Sequence, residues 1–125
     1  WSSDVCSSDL NPNRTATHPI ILFVPADSEK KIAKGLGTRA DAIVFDLEDS
    51  VMPARKSEAR RMMAQILAQR PEGYAGQLWV RINPLSTGMA IEDLCAVLTP
   101  NLHGIILPKC TGPQDVTTVL SQMTQ

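Results

Sequence analysis

Aromatic side chains are scarce in this 125-residue chain, which has two Phe, two Trp and one Tyr. So few rings, with no basic stripe between them, exclude the footprint of a nucleic-acid binder. Charge of one sign is missing as well: 12 Lys and Arg face 13 Asp and Glu, for a formal net charge of -1. No apolar run approaches the roughly 18 to 20 residues that a bilayer-crossing helix needs. Cysteine is limited to Cys6, Cys95 and Cys110. An odd number at wide spacing fits neither a disulfide framework nor a zinc site. These absences predict a soluble protein of a reducing cytoplasm, with no nucleic-acid and no membrane partner. Glycine-rich phosphate loops are absent too, since neither Gly-x-Gly-x-x-Gly nor Gly-x-x-x-x-Gly-Lys occurs. A nucleotide-binding doubly wound fold thereby loses its main support.

What is present is a hydrophobic share of 43% against 20% charged residues, enough apolar surface to build a core. Residues 1–18 stand apart from it. Trp1 to Leu10 repeats Ser-Ser-Asp, has no amphipathic period and lacks the basic start and apolar centre of a signal peptide. That stretch resembles the conceptual translation of sequencing-adapter DNA. Residues 11–18 are polar and broken by proline. The whole segment is read as a non-native or disordered leader, with folded structure from Pro19 to Gln125.

From there a strand and a helix alternate four times. Ile20 to Val24 is an apolar run stopped by Pro25, and Asp27 or Ser28 is placed to cap a helix that reaches Leu36 and leaves through a left-handed Gly37. Ala42 to Leu47 forms the second strand, and a helix begins near Pro53 with Ala59, Met62, Met63, Ile66, Leu67 and Arg70 on one face. Leu78 to Asn83 is the third strand; after a Pro84 to Gly88 loop, a helix puts Ile91, Leu94, Cys95 and Leu98 on one side until Pro100. Gly104 to Pro108 is the fourth. Its helix is expected to be capped by Thr111, with Pro113 in the first turn and Val116, Val119, Leu120 and Met123 on one face. Apolar strands separated by helices imply an α/β fold with a parallel sheet, either doubly wound or a barrel. A (β/α)8 TIM barrel has eight such units in about 250 residues, so these four correspond to its amino-terminal half. Alone, they are expected to be marginally stable.

The period of two places Ala42, Val44, Asp46 and Glu48 on one face of the second strand, and Trp79, Arg81 and Asn83 on one face of the third. Lys109 follows the fourth strand directly. Asp46, Glu48, Asp49, Arg81, Asn83 and Lys109 thus gather at the carboxyl ends of their strands, the rim where barrel enzymes carry their active sites. Arg81 offers a planar fork to a carboxylate or a thioester oxygen, while Glu48 or Asp49 is placed to hold it or to anchor a metal-bound water. The plainer reading of the same residues is an ion-pair network in a polar rim, with Lys109 an ordinary surface lysine. His18 and His103 read as surface residues, Cys95 as core and Cys110 as a rim residue with no activating neighbour besides Lys109.

Five ordered segments add a resemblance. Leu22-Phe-Val-Pro-Ala-Asp27, Ala40-Asp-Ala-Ile-Val-Phe-Asp-Leu-Glu-Asp-Ser-Val51, Pro53-Ala-Arg-Lys-Ser-Glu-Ala-Arg60, Val80-Arg-Ile-Asn-Pro-Leu85 and Gly104-Ile-Ile-Leu-Pro-Lys109 together resemble the amino-terminal half of the citrate lyase beta subunit and malyl-CoA lyase family. The resemblance implies an eight-unit barrel, a homotrimer or hexamer, that makes or breaks a carbon–carbon bond in a β-hydroxyacyl thioester with Mg2+. The thioester is carried by coenzyme A or an acyl-carrier protein. It further implies that Glu48, Asp49 and Arg81 face the substrate in catalytic roles, while the rim position of Asp46, Asn83 and Lys109 adds them to Arg81 as candidate substrate contacts. The family's metal carboxylates follow the Leu-Pro-Lys segment, so metal ligands are expected downstream of Gln125. The chain departs from the family in having Pro19, Ile20 and Ala26 at its entrance segment, so a nucleotide contact there is not carried over. The alternative to a lyase is a catalytically inactive half-barrel or a noncatalytic assembly subunit.

Overall fold

The computed structural model describes residues 18–69, 71–110 and 112–123. The expected leader up to residue 17, Arg70 and the Thr111 cap lie outside the described residues. The elements run β1 (Ile21–Pro25), α1 (Glu29–Leu36), β2 (Ala42–Asp46), α2 (Lys56–Ala68), β3 (Gln77–Arg81), α3 (Ala90–Val97), β4 (Gly104–Ile106) and α4 (Pro113–Met123). Single turns of tighter 3₁₀ helix at Pro53–Arg55 and Leu85–Thr87 precede α2 and α3.

The four strands pair in parallel in the order β1-β2-β3-β4. A doubly wound sheet reverses direction at a switch point. No reversal occurs among the described strands, so they grow in one direction only. The register aligns Phe23, Val44, Trp79 and Gly104 in one row and Pro25, Asp46, Arg81 and Ile106 in the next. Rows of even-spaced residues share a face. The opposite face carries Val24, Ile43, Phe45, Leu78 and Val80, all buried in one core with Ile32 of α1, Met63 and Leu67 of α2, Leu94 and Val97 of α3, and Val119 of α4. The helices therefore cover one side of the sheet, and the polar rim residues belong to the other. No helix among the described residues is long and apolar enough to cross a membrane.

Local signals explain the boundaries. Ser28 caps α1 by accepting the Lys31 amide at 3.3 Å, and Pro53 enters the first turn ahead of α2, where its missing N–H goes unneeded. Gly104 sits under the Trp79 ring, so closely that a Cβ there would lie 2.1 Å from the ring carbon Cζ3. A residue with a side chain would displace the indole from this row.

Several expectations are corrected. Gly37 leaves α1 right-handed, at φ -86°, because its amide reaches carbonyls of the last turn without a left-handed step. In α3 the buried stripe is Ala90, Asp93, Leu94 and Val97, while Ile91, Cys95 and Leu98 are exposed. Cys95 is therefore not core: Asp93 is bonded inward, and that turns the Cys95 side of the helix outward. In α4 only Val119 of the expected face is buried, and Val116, Leu120 and Met123 remain exposed. β3 and β4 are shorter than expected, ending at Arg81 and Ile106: Asn83 turns to Lys56 and Asp93, and Lys109 to Glu48, instead of extending the ladder.

Candidate active site

The strand ends converge as the alternation requires. Asp46 and Arg81 are register partners on β2 and β3. Arg81 donates to Asp46 at two points, Nε to Oδ1 at 3.0 Å and Nη2 to Oδ2 at 2.6 Å. The same carboxylate accepts the Glu48 amide at 2.8 Å, and the Ser50 amide and hydroxyl at 3.1 and 2.9 Å. Burial by itself pushes the Asp46 pKa up. The hydrogen bonds from Arg81, Glu48 and Ser50 outweigh it and bring the pKa from 3.8 down to about 2. Asp46 also raises the Arg81 pKa through its hydrogen bond, against a smaller loss from burial. The pair is thus ionised across the physiological range.

Glu48 lies just past the strand with its side chain 5% exposed; its carboxylate is 3.7 Å from Arg81 Nε and 2.8 Å from Lys109 Nζ. Asp49 is exposed and touches Lys109 at 3.7 Å. Lys109 takes φ 54°, in the left-handed region that a residue with a Cβ enters only against steric resistance. That turn brings its ammonium back over the acidic turn. Glu48 raises the Lys109 pKa by its hydrogen bond, with Asp49 adding to the effect. The rim thus alternates in charge: Asp46, Arg81, Glu48, Lys109, Asp49.

An open cleft of about 540 Å3 adjoins these groups and is lined by Phe23, Pro25, Asp46, Asp49, Ser50 and Arg81, among others. The Phe23 ring lies 5.5 Å from Arg81 Cζ, close enough for a cation–π contact that flanks the guanidinium. The arrangement offers one fixed cation, an apolar wall and carboxylates at the lip. It suits an anionic ligand that develops charge on an oxygen.

Asn83 is placed differently from the expectation. It is 1% exposed and faces away from the cleft. Its Oδ1 accepts Lys56 Nζ at 2.7 Å, while its amide and Nδ2 donate to Asp93 Oδ2 at 2.8 and 2.7 Å. β3 has already ended at Arg81, so the period of two no longer governs Asn83. Sequence reasoning also passed over Lys56, Arg60, Asp93, Ser50 and Phe23. Lys56 and Arg60 do stand inside the Pro53 to Arg60 segment that carries the resemblance, which was the available signal. His103 is exposed as expected, yet its Nδ1 accepts the Leu78 amide at 3.0 Å and so joins the β3 and β4 strand starts. Cys110 is exposed, with its sulfur 3.7 Å from the Leu107 carbonyl oxygen.

Residues 19–125 match the HpcH/HpaI aldolase/citrate lyase family. The chain belongs to that family. It is 36% identical over 110 residues to the citrate lyase subunit beta of Escherichia coli K12, a match covering 88% of this chain and 36% of that protein. It is 34% identical over 111 residues to the mitochondrial citramalyl-CoA lyase of Rattus norvegicus, across 87% of this chain and 32% of that protein. Among solved structures it resembles the Mycobacterium tuberculosis CitE complex with magnesium, acetoacetate and coenzyme A. That likeness has a TM-score of 0.62 and 30% identity, covering 81% of this chain and 36% of the other. This segment of the citrate lyase family spans about a third of the length of these relatives.

Magnesium in that relative raises the question of fit. The described residues do not make a magnesium site by themselves. Both Asp46 oxygens are taken by donors, Glu48 is taken by Lys109, and no group of three His, Cys, Asp or Glu side chains among the described residues converges on a point.

Proposed function

We propose that the complete protein is a carbon–carbon lyase that cleaves or forms a β-hydroxyacyl thioester of the citryl, malyl or citramalyl type, carried by coenzyme A or an acyl-carrier protein. The observation that carries this reading is the Arg81 guanidinium, clamped at two points by Asp46 and presented to the cleft beside Phe23. In the cleavage direction a general base of the complete site takes the proton of the substrate hydroxyl, which becomes a carbonyl as the carbon–carbon bond breaks. The bonding pair passes to the thioester, whose enolate oxygen bears the new charge. Arg81 stabilises that oxygen, and it is already fixed before the charge appears, so no reorganisation is needed. Glu48 steadies Arg81 from the side, Lys109 meets a substrate carboxylate at the lip, and Asp49 completes the acidic turn. The enolate then takes a proton on carbon and leaves as the shorter thioester. Asp46, expected to touch substrate, serves in this reading through Arg81.

The remaining proposals concern the whole molecule. The one-directional parallel sheet is the first half of an eight-unit TIM barrel, with residues 19–125 its amino-terminal half. Mg2+ is its cofactor, held by carboxylates outside the described residues. It is a cytoplasmic homotrimer or hexamer. The test is to express the full-length protein and assay citryl-, malyl-, citramalyl- and methylmalyl-thioesters with magnesium. Folded protein that cleaves none of them refutes the reading.

A second reading rests on the exposed Val116, Leu120 and Met123 of α4. By it, the 125 residues alone are an inactive assembly piece that associates through this face. Light scattering on the 125-residue chain decides it, and a monodisperse monomer counts against it.

A further inference from the structure

Behind the rim, on the side away from the cleft, lies a closed polar ring. Lys56, in the first turn of α2, is 8% exposed. Its ammonium donates to the carbonyl oxygens of Leu47 and Glu48, each at 2.9 Å, and to Asn83 Oδ1 at 2.7 Å. Three donors thus meet three acceptors, which a buried lysine requires. Asn83 passes the connection to Asp93 of α3, and Asp93 Oδ1 accepts Arg60 Nε at 2.8 Å. Arg60 lies one turn along α2 from Lys56, which closes the ring through the helix.

The acceptors are what give Lys56 its meaning. Two belong to the turn that carries Glu48 and, through the Glu48 amide, one of the bonds to Asp46. The third lies two residues past Arg81. The turn itself also hangs on β3, since the Leu47 amide donates to the Arg81 carbonyl at 2.9 Å. A single ammonium therefore ties the rim segment after β2 to the rim segment after β3, at the point where Glu48 and Arg81 approach to 3.7 Å. An apolar side chain of the same length would fill the space without joining them.

We propose that Lys56 is a positioning residue: it sets the spacing between the acidic turn and Arg81, acting through the two backbone carbonyls and Asn83 without touching the ligand. The proposal rests on the lyase reading for its effect on turnover, and on geometry alone for its effect on the turn.

The test compares Lys56→Met with Met63→Ala in the full-length protein. Met63 is fully buried in the core and serves as a control for lost stability. At a temperature where both variants are folded, Lys56→Met is expected to lower kcat by about 10- to 100-fold, with KM changed by less than about threefold. It is also expected to speed hydrogen exchange of the Glu48 and Ser50 amides by about tenfold or more, while Met63→Ala moves neither quantity selectively. Lys56→Gln retains two N–H donors and is expected to fall between Lys56→Met and wild type; it replaces Lys56→Met if that variant does not fold. Exchange and turnover both matching Met63→Ala would overturn the proposal. If wild-type protein cleaves no thioester, the lyase reading falls, and the exchange comparison still decides whether Lys56 holds the turn.

Discussion

Replacing Asp46 with Asn keeps the shape of the side chain and removes its charge. The folded carboxyl titrates near 2 against 3.8 ordinarily. At about 1.4 kcal/mol for each tenfold in proton affinity, its ionised form stabilises the fold by about 2 kcal/mol. Whichever way it is placed, the introduced carboxamide would also turn its NH2 toward Arg81 and a backbone amide, which can only donate. Leaving one such donor unmade adds about 1 kcal/mol. Asp46→Asn is therefore expected to lower stability by about 3 kcal/mol at pH 7. The folded pKa lies below the unfolded one, so the charge contribution is fully present above the unfolded value and disappears as pH falls through the folded value. It should be intact at about pH 5, about half lost near pH 3 and gone below about pH 2. Urea unfolding of full-length wild type and variant at pH 7, 5 and 3 gives the difference directly. A gap that stays constant from pH 7 to pH 3, or one below about 0.5 kcal/mol at pH 7, would refute the assignment of Asp46 as the ionised anchor of Arg81.

Arg81→Lys in the full-length protein is expected to cut kcat by about 100- to 1,000-fold with the fold intact, since an ammonium lacks the planar fork; near-normal turnover returns Arg81 to a purely structural ion pair. Gly104→Ala is expected to cost about 1 to 3 kcal/mol by driving a methyl into the Trp79 ring, read by unfolding and by a shift in tryptophan emission. Because Asp46 and Glu48 are already committed to Arg81, Ser50 and Lys109, the 125-residue chain is expected to bind magnesium no better than a generic acidic loop, and a stoichiometric site in calorimetric titration would contradict that. Asp93→Ala strips Arg60 and Asn83 of their shared acceptor and is expected to cost about 3 kcal/mol or more in stability, checked by urea unfolding of the full-length protein.

The sequence carried the strand-and-helix alternation because each element has its own period, and the period of two alone placed Asp46 and Arg81 on a common face. It carried less where a side chain's surroundings come from another element. Asn83 looked like one more inward strand residue, yet its partners are Lys56 of α2 and Asp93 of α3. Cys95 shared an apolar stripe with Ile91 and Leu98, but α3 is only eight residues long. In so short a helix one inward-bonded carboxylate, Asp93, decides which stripe is buried. Gly37 matched the composition of a left-handed exit without needing one. The meeting of Lys109 with Glu48 depends on a positive φ at a lysine, which no local preference announces.

The two-point bond between Arg81 and Asp46 has a directional consequence. A guanidinium presents two edges to oxygen pairs, one formed by Nε with Nη2 and the other by Nη1 with Nη2. Asp46 occupies the first. Phe23 stands over the flat of the group, 5.5 Å from Cζ. An incoming oxygen pair is left the second edge, and must lie near the plane that Asp46 and Phe23 have already set. Docking at this rim is thereby a choice of angle as much as of charge. A ligand whose oxygens cannot lie flat along that edge meets the same positive group and gains only one of its two bonds.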